Sequence, residues 1–144
     1  MANYRKFSLT MDAADPLALS KFWVDALGYK HEDPPAPHTS WEEAWEAWGM
    51  PEERRNDFNA IVDPDGIGPR IFIQKVPEPK TSKNRLHLDI RVSESPDAKD
   101  HALLQAKADE LVALGATLMH VFDDPDEGHW IVMADPEGNE FCII

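Results

Sequence analysis

The chain has 144 residues, 42% of them hydrophobic and 28% charged, enough for one domain with its own core and no need of disulfides or a structural metal. Fourteen basic against 27 acidic side chains leave a net charge of −13, which repels nucleic-acid phosphates and anionic membranes and makes a nucleic-acid partner or a membrane-surface role unexpected. No apolar run is long enough to span a bilayer, MANYRKF has no signal-peptide core, and the single cysteine, Cys142, excludes an intrachain disulfide, so a cytoplasmic location is expected.

From Tyr4 to Asp12, Phe7, Leu9 and Met11 alternate with Lys6, Ser8, Thr10 and Asp12, the pattern of a half-buried strand. Asp15-Pro16 is an N-cap followed by a first-turn proline. The helix it starts carries Leu19, Phe22, Trp23, Ala26 and Leu27 on one face and stops at Gly28. A short strand fits Tyr29 to Glu32. Pro34, Pro35 and Pro37 then stiffen a loop, after which Ser40 and Glu43 form a capping box for a short helix ending at Gly49. Trp41, Trp45 and Trp48 make one stripe on that helix, either packed on the core or forming an aromatic lid or subunit contact.

Strands are predicted for Phe58 to Val62 and Arg70 to Val76, joined through the turn Asp63-Pro64-Asp65-Gly66. Phe72, Gln74 and Val76 share a face, which leaves the Gln74 amide among apolar neighbours and in need of a partner. Pro77 to Lys83 reads as the joint between two halves.

The second half repeats the order. Between Asn84 and Ser93, Leu86, Leu88, Ile90 and Val92 alternate with His87, Asp89 and Arg91, a strand with one polar face that faces either water or a pocket. Ser95-Pro96 then caps a helix running to about Leu114, with Leu104, Ala108, Leu111 and Val112 on its apolar face and Gly115 as its stop. Strands follow at Thr117 to Phe122 and Trp130 to Ala134, with an acidic turn between them, then the turn Asp135-Pro136-Glu137-Gly138 and a last strand from Glu140 to Ile144. His120 and His129 flank Asp123, Asp124, Asp126 and Glu127. Their spacing matches neither an EF-hand loop nor a zinc signature, so this segment reads as a solvated acidic turn. There is no P-loop, GxGxxG or GxSxG motif.

Each half therefore reads strand, helix and three strands, and the DPxG turn and the Leu-Gly helix stop recur in both. The stretches DPLALSKFWVDALGY, VPEPKTSKNRLHLD and ADPEGNEFCII carry a resemblance, extending over the whole chain, to the vicinal oxygen chelate superfamily, and most nearly to its small bacterial glyoxalase-like, bleomycin resistance and dioxygenase relatives. That resemblance implies an α+β fold. Two βαβββ modules, about 4 to 76 with a helical insertion at about 40 to 49 and about 84 to 144, would be related by a pseudo-twofold axis and form a cupped, barrel-like mixed sheet within one domain.

The resemblance also implies a divalent metal held by a side chain from the first and last strand of each module, often His and Glu, and it puts Ser8, Gln74, His87 and Cys142 at those places. Only His87 matches, and a hydroxyl and a neutral amide bind metals feebly, so the expectation is a metal-free pocket with no cofactor. In that pocket His87 and Gln74 are the candidate catalytic residues. Ser8, Thr10, Phe72, Asp89, Trp130 and Cys142 are the candidate contacts to a small-molecule ligand.

Three functions stay open: a glyoxalase-like lyase or isomerase in which His87 moves a proton, a binding protein that sequesters a toxic or antibiotic molecule, and a Cys142–His87 thiolate site. The resemblance further implies a homodimer.

Overall fold

The computed structural model describes residues 3–94 and 100–144, and the expected Ser95-Pro96 cap lies outside them. The chain divides into two compact units, Met1–Glu78 and Pro79–Ile144, with the boundary inside the proline-rich joint. No helix is long and apolar enough to cross a membrane among the described residues.

The first unit runs β1 (Leu9–Ala13), α1 (Pro16–Leu27), β2 (Lys30–His31), α2 (Trp41–Ala47), a 3-10 turn (Glu52–Arg54), β3 (Phe58–Val62) and β4 (Ile71–Lys75). Its four strands form one mixed sheet in the order β1-β4-β3-β2, with β1 parallel to β4 and the other pairs antiparallel. The second unit runs β5 (Asp89–Ile90), α3 (His101–Ala113), β6 (Thr117–Asp124), β7 (Gly128–Ala134) and β8 (Glu140–Ile143). Its sheet has the equivalent order β5-β8-β7-β6, again with the first and last strands parallel. The architecture is the α+β, twice-repeated βαβββ order that the sequence implies, and each sheet is an open four-stranded layer that does not close into a barrel.

Local signals account for the helices. The Asp15 carboxylate accepts from Ala18 N at 3.1 Å, Pro16 needs no hydrogen-bond partner for its nitrogen, and Gly28 closes the helix at φ +70°. Leu19, Phe22, Trp23 and Ala26 are buried against Ile61, Ile71 and Ile73 of the sheet. In the second unit Leu104, Ala108 and Leu111 of α3 are buried, as are Ile131, Met133, Phe141 and Ile143 of β7 and β8. Val112, expected on the apolar face, is 46% exposed.

Two strands are shorter than the alternation predicts. Leu9 pairs with Ile71, so a strand continued back to Phe7 would need Pro69 as its partner, which has no N–H to donate. Phe7 is accordingly 60% exposed. In the second unit the ladder reaches only from Leu88 O, which accepts from Cys142 N, to Val92 N, which donates to Ile144 O. The amide of Asn84 is taken by the Glu140 carboxylate at 3.0 Å instead, and Leu86 stands 67% exposed. Conversely, β6 and β7 each run two residues beyond the predicted limits into the acidic turn, so that Asp123 pairs with His129.

The Glu140 carboxylate also receives Lys80 Nζ at 3.1 Å, fastening the start of this unit to β8. The Asn84 amide, with Lys80 in support, holds the carboxyl down to about 2 against its own desolvation. A folded-state pKa below the unfolded one stabilises fully above the ordinary glutamate range and stops doing so as the pH falls towards 2. Glu140→Gln is expected to cost about 1.5–3 kcal/mol at pH 7, the worth of hydrogen bonds to a charged group. In urea unfolding at pH 7 and at pH 2, the deficit should shrink at the lower pH; an equal deficit at both would refute the assignment.

Candidate functional site

In each sheet one face is covered by its helix, and strand parity sends the alternate side chains to the other face. In the first unit that other face carries Thr10 and Asp12 of β1, Phe72 and Gln74 of β4, and Phe58 of β3, since Thr10 pairs with Phe72, and Asp12 and Phe58 both pair with Gln74. The Gln74 amide finds its partner here: Nε2 donates to Asp12 Oδ1 at 2.8 Å. Phe58 stacks on Phe72 with ring centroids 6.0 Å apart, and the Arg70 guanidinium lies 5.4 Å from the Phe72 centroid. Arg70 is itself clamped by both oxygens of Glu32 and is held charged by them.

Ser8 precedes the first residue of β1 and is exposed. It lies at the opposite end of the β1–β4 pairing from Gln74, whose register partner is Asp12, so within this unit the two are not neighbours. Asp12 and Phe58 are the face residues that the sequence reading passed over. Asp12 shares the parity of Ser8 and Thr10, whereas nothing local marks Phe58.

The equivalent face of the second unit carries His87, Asp89, Cys142, Trp130 and Phe122. Asp89 is in register with Cys142, and His87 Nε2 lies 3.2 Å from Asp89 Oδ1. His87, Asp89 and Cys142 each place one donor atom within 4.8 Å of the other two. Both His87 and Asp89 are open to solvent, with about half of each side chain exposed. Phe122 stacks on Trp130 at 4.7 Å, and His120 meets Phe122 edge-on at 4.1 Å, giving this face an apolar platform on β6 and β7, next to the polar group on the β5–β8 side of the sheet. Burial pushes the Cys142 thiol up, and the Asp89 carboxylate adds to the shift, so the thiol is held protonated.

These donors are a poor match to the metal quartet that the resemblance implies. At the corresponding places the first unit offers the Ser8 hydroxyl and the Gln74 amide, whose nitrogen is committed to Asp12, and the second pairs His87 with a thiol held neutral.

The tryptophan stripe is only partly packed on the core. Ala44 is the buried residue of α2, while Trp41 and Trp45 are half-buried and Trp48 is 52% exposed. Trp41 Nε1 donates to Glu32 O at 2.7 Å, and its ring lies 6.0 Å from Trp45 and 6.4 Å from Trp48. The Ser40 cap accepts from Glu43 N as expected. The Glu43 carboxylate, however, turns back to the amide and hydroxyl of Thr39, one residue before the cap.

The profile of the Glyoxalase-like domain matches residues 8–144. No functionally curated protein matches the chain by sequence. Among solved structures, a glyoxalase/bleomycin resistance protein/dioxygenase family enzyme from Burkholderia phytofirmans PsJN superposes with TM-score 0.61 at 18% identity, over 94% of each chain. The bleomycin-binding protein of Streptomyces verticillus, solved with copper(II)-bleomycin, gives 0.54 at 18% identity over 99% of this chain and 97% of that one. A variant of the fosfomycin resistance protein FosX of Listeria monocytogenes, solved with Mn(II) and 1S,2S-dihydroxypropylphosphonic acid, gives 0.62 at 11% identity over 99% and 90%.

Proposed function

Because the chain belongs to the Glyoxalase-like domain family, within the vicinal oxygen chelate superfamily, we propose that it is a small-molecule enzyme of the lyase or isomerase kind with His87 as its acid–base group. The observation that carries this reading is the His87–Asp89 pair, 3.2 Å apart and open to solvent on the sheet face opposite α3. A carboxylate beside an imidazole fixes the ring's orientation and tautomer, which general acid–base catalysis requires. Asp89 is then a positioning residue, and Cys142 contributes a neutral contact. Trp130, stacked with Phe122, supplies an apolar wall. On the first unit Thr10, Gln74 and Phe72 offer hydrogen bonds and a ring face of the same kind, and Ser8 adds a hydroxyl at the end of β1.

A second reading, sequestration without chemistry, is favoured by the two aromatic stacks together with the net charge of −13, which would attract a cationic ligand. Amide and side-chain NMR of the full chain with bleomycin, with fosfomycin and with a panel of small hydroxy and oxo acids tests both. Perturbations centred on His87, Asp89 and Trp130, together with a product signal, are expected. The same perturbations with every compound unchanged would replace catalysis by sequestration. A panel that leaves these residues unperturbed removes both readings.

A further inference from the structure

On the opposite face of the second sheet, under the start of α3, the geometry points to a binding site for a divalent transition-metal ion formed by His101, Asp123 and His129. Strand register puts His129 of β7 beside Asp123 of β6, and His101, the first residue of α3, lays its ring on that of His129 with centroids 3.8 Å apart. The three residues each present one ligand atom within 4.8 Å of the others. Asp123 Oδ1 lies 3.6 Å from His129 Nδ1 and 3.9 Å from His101 Nε2. Both separations are too long for hydrogen bonds. They are within a few tenths of an ångström of the roughly 3.4 Å edge of a tetrahedron built on ~2.0–2.1 Å metal–ligand bonds.

The independent sign of a ligand is the state of His129. Its side chain is nine-tenths buried, and its Nδ1 has no hydrogen-bond partner. A polar nitrogen shut away from water and left unpaired is destabilising, and a bound cation removes that penalty by accepting its lone pair. Two imidazoles and a carboxylate suit zinc and its neighbours in the transition series far better than calcium or magnesium, and three protein ligands leave a fourth position for water. The neighbouring Asp124 carboxylate accepts the amides of Asp126 and Glu127 at 2.8 and 2.9 Å, and it alternates with Asp123 along β6, which turns it to the other face of the sheet. His129 alternates with Trp130 along β7, so this site and the His87 group lie on opposite faces of one sheet and stand or fall separately. Bound metal would tie the first turn of α3 to the β6–β7 hairpin.

The test uses the full chain, stripped with a chelator and titrated with zinc against a chromophoric competitor. One equivalent of zinc should bind, and His101→Ala and Asp123→Asn should each weaken that equivalent on the order of 100-fold, at least the loss caused by removing an outer-sphere support. Both side chains are more than half exposed, so these variants should keep the parent circular dichroism. His87→Ala and Cys142→Ser should leave the equivalent in place, and substituted cobalt(II) should show no thiolate charge-transfer band from it. Absence of zinc binding by the parent chain would overturn the site. So would an affinity lost only in His87→Ala or Cys142→Ser, or a thiolate band in the cobalt spectrum of the one bound equivalent.

Discussion

Replacing His87 by alanine is expected to lower turnover about 10²- to 10⁴-fold, the usual contribution of a positioned acid–base group, while leaving the fold intact. The separation of the two effects follows from where the residue sits. Its neighbours in sequence, Arg85, Leu86 and Asp89, are exposed, and among the described residues its side chain is paired with Asp89, itself about half exposed. Removing an imidazole from such a position opens no cavity and strands no buried group, so thermal stability should move by no more than about 0.5 kcal/mol. Asp89→Asn should lower turnover less than His87→Ala and should change the pH profile, because the amide keeps the shape of the carboxylate but not the charge that orients the ring. The measurements are steady-state kinetics on a compound that the NMR panel identifies as substrate, with thermal unfolding in parallel. An alanine variant that unfolds, or one that is folded and fully active, would show the histidine to be structural or irrelevant.

Asp135→Ala should produce the largest loss of stability of any single substitution in the two DPxG turns, about 3 kcal/mol, or roughly 10 °C in Tm. The Asp135 carboxylate is buried, and its Oδ1 accepts from Glu137 N at 2.9 Å and from both Asn139 N and Asn139 Nδ2 at 3.0 Å. Its Oδ2 accepts from Asn139 Nδ2 at 2.8 Å. Alanine would leave two backbone amides unpaired where water reaches them poorly, and the cost of unmet donors exceeds the modest worth of the bonds themselves. Asp63, the counterpart in the first unit, also staples its turn by accepting from Asp65, Ile67 and Gly68 amides, but that turn is solvated, so Asp63→Ala should cost clearly less. Urea unfolding of the two variants side by side decides it: equal losses would mean that burial of the turn contributes nothing.

Much of this protein was legible in the sequence because the signals concerned are local. Asp15-Pro16 and Ser40 start helices by satisfying amides two or three residues away, and Gly28 and Gly115 end them at positive φ. Alternation likewise separated Gln74 and Cys142 from the buried Ile73, Phe141 and Ile143 on either side of them. His87 and Asp89 could be placed on one face by counting in twos.

What the tertiary structure decided depends on residues far apart in the chain, whose meeting no short-range pattern encodes. Register alone gave Gln74 to Asp12, 62 positions away, and kept β1 from reaching back to Phe7, whose ladder partner would be Pro69. Glu140 shortened β5 by drawing off the Asn84 amide from 56 positions away. The acidic turn read as solvated from its composition, yet the longer β6–β7 hairpin brought Asp123 beside His129, and the packing of α3 brought His101 over both. Spacing in sequence could not reveal that cluster, because its three residues come from three elements and are joined only by the docking of a helix on a sheet.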